Sequence, residues 1–205
     1  MKYAVAIIVT LCFAASSFAQ GIYIGPRIGA NFANVSYDGD GDPDLNSRTS
    51  VLYGGVLELG LADKFAIQPE VSYIVRGYES EESLGFLNPN LTLNYLDFGG
   101  LLKFKTGSEG LNAYLGAGPY YSYALSGEFD TAVGTVEIDF DDDEAFERGD
   151  WTAAFAAGVQ LPLGESFLFV DARYLLGLTD LNDRDDEVEI RNRAFSLSAG
   201  ILFAL

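Results

Sequence analysis

Residues 38–45 read DGDGDPDL, four aspartates at every second position with Gly39, Gly41 and Pro43 between them. Carboxylate oxygens are the hard ligands that calcium prefers, and an EF-hand loop spaces them at alternate positions. Set against that loop, DGDGDPDLNSRT places Asp38, Asp40 and Asp42 at the first three ligand positions. Pro43 then stands where the sharp turn needs glycine, and Thr49 where a bidentate glutamate should close the cage. The stretch predicts a loop kept in water, with weak and diffuse binding of Ca²⁺ or Mg²⁺ and no defined metal site.

Other reactive constellations are sparse. The chain has no histidine, which closes the usual route to nucleophile activation by a histidine beside a Ser or Asp. Its one cysteine, Cys12, excludes disulfides and Cys/His zinc sites. Glu58, Glu70 and Asp97 could in principle pair for acid–base work, but a structural ion-pair network explains them more simply. No catalytic, cofactor or metal residue is assigned, and the chain reads as a non-enzyme. With 30 acids against 12 bases, a net charge of −18, nucleic acid is repelled as a partner.

The elements that hold these carboxylates must come from the pattern along the chain. The start reads as an export signal: Lys2, the apolar run YAVAIIVTLCFAA (3–15), then small Ser17 and Ala19 before a cut after Ala19. That run is shorter than the ~20 residues of a spanning helix, and bulky Leu11 before Cys12 speaks against a lipoprotein. The expected organisation is a signal peptide over 1–19 and one β-barrel domain over 20–205.

Beyond residue 20 the recurrent signal is alternation. IYIGPRIGANF (22–32) sets Ile22, Ile24, Ile28, Ala30 and Phe32 against Tyr23, Gly25, Arg27, Gly29 and Asn31. FAIQPEVSYIVR (65–76) alternates in the same way, and period two over such lengths means long strands. Eight runs emerge, at about 21–35, 50–62, 64–77, 92–105, 110–125, 151–162, 166–178 and 192–205. ADK (62–64), TGSEG (106–110) and PLGES (162–166) are tight turns, whereas 36–49, 78–91, 126–150 and 179–191 are long connections. The fold class expected is all-β: an eight-stranded antiparallel transmembrane β-barrel with short periplasmic turns and long acidic extracellular loops.

A soluble lipocalin-type barrel, apolar inside, is the rival. Arg27, Glu58, Glu70, Arg76, Asp97, Lys103, Asp171 and Arg173 all share the parity of the small and polar residues in their strands. The opposite parity carries Leu57, Leu59, Phe98, Leu102, Leu115, Val159, Val170, Leu176, Leu197 and Ile201 without a charge. One Arg or Lys at the bilayer midplane costs roughly 2–4 kcal/mol, so a face kept clean through eight strands points to lipid. Tyr53, Tyr73, Tyr121, Tyr123, Trp151 and Tyr174 lie toward the long connections, where amphipathic rings favour the lipid boundary. The closing SAGILFAL (198–205) resembles the C-terminal signal read by barrel-assembly machinery, which would put both mature termini at the periplasmic rim.

IQPEVSYIVRGY (67–78), LNYLDFGGLLKFK (93–105), AYLGAGPYYSYALSG (113–127), FLFVDARYLLGLTDL (167–181) and NRAFSLSAGILF (192–203) resemble the PorT-family outer-membrane β-barrel proteins common in Bacteroidetes. Gly99 departs from a proline frequent in that family. The resemblance implies the fold and an outer-membrane location; the secretion system in the family's name makes an accessory role the third reading. Four inward cations against four inward acids predict a salt-bridged plug, narrowed further by Tyr23, Tyr114 and Tyr120, with a structural or surface-interaction role. A narrow porin for small solutes is the alternative. The long connections hold 23 acids and 4 bases, so negative charge is expected on the outer surface beside lipopolysaccharide and lipid.

Overall fold

A computed structural model describes residues 21–38, 48–79, 90–107, 110–131, 134–138, 140, 148–179 and 189–205. The proposed signal (1–19) and most of the aspartate stretch (39–45) lie outside these residues. Every described regular element is a strand: β1 (Gly21–Asp38), β2 (Arg48–Ala62), β3 (Phe65–Glu79), β4 (Asn90–Lys105), β5 (Asn112–Thr131), β6 (Gly134–Glu137), β7 (Gly149–Leu163), β8 (Ser166–Gly177) and β9 (Glu189–Ala204).

Eight of these close on themselves. All pairings are antiparallel; β1 pairs both β2 and β9, and the ring is completed by β4 against β5 and β5 against β7. Closure satisfies every ladder internally, the condition for backbone to cross lipid. The expected strand count therefore holds for the barrel. The ninth strand, β6, is a short pairing with Glu128–Thr131 beyond the barrel wall, inside what the sequence pattern assigns to a loop.

Strands run longer than expected toward the long-connection end. β5 extends through Thr131 because a bulge at Leu125 absorbs the break in alternation: Tyr95 pairs Ala124, while Asn94 pairs Ser126. An extra residue on one strand tightens the local twist without ending the ladder. At 12 to 20 residues, the barrel strands exceed the ~9–11 needed to cross a bilayer at a tilt.

The two faces separate as parity requires. Leu102 is 56% exposed and Leu115 64%, whereas Lys103, between Leu102 and Phe104, is fully buried. Leu59, between its register partners Ile22 and Ile67, keeps their outward parity but is buried. Outward rings meet as cross-strand pairs, Tyr53 with Tyr73 at 5.2 Å and Tyr121 with Trp151 at 5.0 Å toward the long connections. Phe65 and Phe104, 5.3 Å apart, mark the short-turn end. Such pairs add roughly 0.2–1 kcal/mol each to the sheet.

Candidate functional site

The lumen is where the sequence concentrates its unusual choices, so it is the candidate site. All eight charges assigned to it by parity face inward, and only Arg76 among them is more than slightly exposed. Two more belong with them. Lys105 reaches Glu58, and Asp150 is buried at the start of β7. Both share the inward parity of their strands, but they lie near strand ends, outside the uninterrupted central runs. Asp150 also corrects the expectation that the acids of residues 126–150 all lie on the outer surface.

A single hydrogen-bonded chain links most of these groups. Glu58 accepts from Lys103 Nζ at 2.6 Å, Lys105 Nζ at 3.0 Å and Gln160 Nε2 at 2.7 Å. Lys103 Nζ also donates to Gln68 Oε1 at 2.8 Å, and Gln68 Nε2 donates to Glu70 Oε1 at 2.7 Å. Glu70 in turn accepts from Arg27, and from Arg173 Nη1 at 2.6 Å. Arg173 grips Asp171 with both Nη2, at 2.7 Å, and Nε, at 3.1 Å, a fork that only guanidinium offers. Tyr114 at 2.9 Å and Ser198 at 2.5 Å complete the shell of Asp171, and Tyr120 accepts from Arg173 Nη1 at 2.9 Å.

Arg27, Glu58, Gln68, Lys103, Tyr114, Gln160, Asp171 and Ser198 come from β1, β2, β3, β4, β5, β7, β8 and β9, so every barrel strand contributes. Buried charges persist only where partners surround them, and here each acid of the chain touches at least one cation. Arg76 forms a second group nearer the long connections, donating to Asp97 at 2.7 Å and Ser122 at 2.9 Å while its guanidinium lies 4.9 Å from the Tyr95 ring centroid.

Glycine makes room for the large rings in so narrow a lumen. A Cβ on Gly99 would stand 2.3 Å from the Tyr120 ring, and one on Gly158 2.5 Å from Tyr114 Cζ. Gly99 thus accommodates Tyr120, its register partner, and a proline there would meet the same ring. Tyr114 and Tyr120 are buried as expected from parity, and Tyr23 is half-buried, edge-on to Phe167 with centroids 5.2 Å apart.

The interior is not polar throughout, which the alternation did not reveal. Val56, Phe169 and Leu202, with Tyr23 and Phe167 against them, form an apolar cluster toward the short-turn end. Leu52, Ile74, Tyr95 and Ala124 form another toward the long connections, packed by Leu93 and Phe140. Buried charges and apolar side chains thus share the described lumen, and an eight-stranded barrel is just wide enough to be filled by side chains. Among the described residues no group of three or more acidic or cysteine ligands gathers at metal-binding distance. Glu58 and Glu70 are held by cations and Gln68, the arrangement of structural pairs.

Comparisons with known proteins agree with this architecture. The family described as "Outer membrane protein beta-barrel domain" matches residues 15–183. Among solved structures, the outer membrane protein OprG from Pseudomonas aeruginosa is similar at a TM-score of 0.58 and 13% identity, covering 91% of this chain and 97% of that one. Neisserial surface protein A is similar at a TM-score of 0.51 and 16% identity, covering 91% of this chain and 99% of that one. No curated protein matches the chain.

Proposed function

We propose a function from one premise: this chain belongs to the outer membrane protein β-barrel domain family, and is an integral β-barrel protein of the cell outer membrane. In our reading it is a closed barrel with a structural or surface-interaction role and no catalytic activity. The observation that carries this is the hydrogen-bonded network of paired charges, to which all eight barrel strands contribute a side chain, lying in the lumen where a conducting pore would need water. Pores that select ions tend to present rings of one sign. Here Arg27, Arg76, Lys103, Lys105 and Arg173 face Glu58, Glu70, Asp97, Asp150 and Asp171.

Planar-bilayer recording tests the reading. Purified, refolded protein is expected to give little or no steady conductance. Large ion-selective currents would replace it with the narrow-porin alternative. The finer assignment to PorT-like barrels rests on the strand motifs quoted above, and a secretion-system accessory role rests on that assignment alone.

The surroundings follow from the same reading. Residues 1–19 are the export signal, both mature termini face the periplasm, and β9 with its terminal Phe203 and Leu205 is the segment offered to barrel-assembly machinery. The long connections face lipopolysaccharide and recruit divalent cations weakly. Calorimetric titration with Ca²⁺ is expected to give shallow binding, weaker than the ~10⁻⁴–10⁻³ M of extracellular calcium modules. Changing Asp38, Asp40, Asp42 and Asp44 to Asn should leave it little altered. One stoichiometric site abolished by those changes would instead make the stretch a true calcium loop.

A further inference from the structure

Between the two polar groups of the lumen lies a small cavity of about 20 Å³, walled by Arg27, Ser72, Asp97, Tyr120, Arg173 and Ser196. Leu52, Ile74 and Leu175 also line it and bring no polar atom. Three of the polar side chains leave an atom with no hydrogen-bond partner among the described residues: Arg27 Nε, Ser72 Oγ and Asp97 Oδ1. All three residues are more than nine-tenths buried. An orphaned buried polar atom costs ~1–3 kcal/mol, and more when it belongs to a charged group. The three residues that carry them all line this one cavity, which points to a shared partner.

We propose that this cavity is a binding site for one ordered water molecule, which bridges Arg27 Nε to Asp97 Oδ1 and satisfies Ser72 Oγ. The chemistry of the walls selects the ligand. Arg27 Nε can only donate and Asp97 Oδ1 can only accept, while the serine hydroxyl does either. A metal cation would confront two guanidinium groups, Arg27 and Arg173. An anion would confront the carboxylate of Asp97. Water donates and accepts at once, and is neutral. The volume fits as well, because a cavity needs ~10–15 Å³ on this measure to hold one water, with two to four polar partners.

The bridge has an electrostatic consequence. Below the cavity, Arg27, Lys103, Lys105 and Arg173 outnumber Glu58, Glu70 and Asp171 by one cation. Asp97 lies across the cavity, one oxygen committed to Arg76 and the other turned to the water. The water therefore couples the two groups of charges into one column without direct contact.

Oxygen-17 relaxation dispersion of solvent water, measured on the folded protein in detergent, counts long-lived internal waters. Ser72→Val fills the space with methyl groups and is expected to lower the dispersion amplitude by one water molecule. Ser72→Ala keeps the space and two of the three polar partners, so it should retain the unmutated amplitude. Equal amplitudes for the valine variant and the unmutated protein overturn the proposal. If the valine variant does not fold, a crystal structure of the unmutated protein decides. Density for a water about 2.7–3.2 Å from both Arg27 Nε and Asp97 Oδ1 supports the site. Absence of such density, or an anomalous peak there after bromide soaking, rules it out.

Discussion

Arg173→Ala is expected to destabilise the folded barrel by about 3–5 kcal/mol, the cost of removing one partner from a buried ion pair. Among the described cations of the lumen, it holds two acids and a tyrosine at once. Its guanidinium holds Asp171 through two nitrogens, Glu70 through a third contact and Tyr120 through a fourth, and the residue is only 2% exposed. Without it Asp171 keeps Tyr114 and Ser198 but no cation, and Glu70 keeps Arg27 and Gln68. Arg173→Met restores most of the volume and leaves the acid as exposed to the deficit, so it should cost nearly as much. Arg76→Ala, at a group whose side chain is 12% exposed and pairs with one acid, should cost less. Urea unfolding of the protein in lipid vesicles, read by the gel shift between folded and boiled barrels, measures all three. A loss below about 1 kcal/mol for Arg173→Ala would mean that the network is slack or hydrated.

The opposite face sets the second large effect. Val170→Arg is expected to cost roughly 2–4 kcal/mol in a bilayer, because arginine at mid-depth must be drawn out of water. Val170 stands outward in β8, 47% exposed, next to buried Asp171 and between register partners Val159 and Ala199. The measurement is the same unfolding titration in vesicles. An unchanged midpoint would mean that Val170 lies outside the hydrocarbon of the bilayer.

Much of this was legible in sequence, for a physical reason. In a strand each side chain takes the face opposite to its neighbour's, so counting in twos from Lys103 or Asp171 is enough to know which way they point. Parity alone also placed Tyr114 and Tyr120 inside. It failed where alternation is interrupted or short: the bulge at Leu125 hid the continuation of β5, and Lys105 and Asp150 fell outside the central runs. Which inward charges meet was not legible, because partners such as Gln160 and Glu58 are 102 residues apart and depend on how the ring closes. Nor were the apolar clusters around Phe169 and Leu52, since inward parity fixes direction and says nothing about depth. The fit of Tyr120 over Gly99 likewise depends on register, which one strand does not contain.

The seam between β1 and β9 bears on how such a molecule can come to exist at all. It pairs residues from Tyr23 with Ala204 to Asp38 with Glu189, the first strand of the chain with the last. Contacts so distant in sequence are slow to form, because loop-closure entropy is lost before they return any stability. Until they form, two strand edges lie open, an arrangement that hydrocarbon does not tolerate. Arg27 enters the charge network from one side of that seam and Ser198 from the other. A half-made barrel is therefore penalised twice, at its edges and in its interior, and assembly in the membrane should be close to all-or-none. Such a chain cannot be stored half-inserted; it has either to be kept unfolded in water until it is complete or to close in one concerted event.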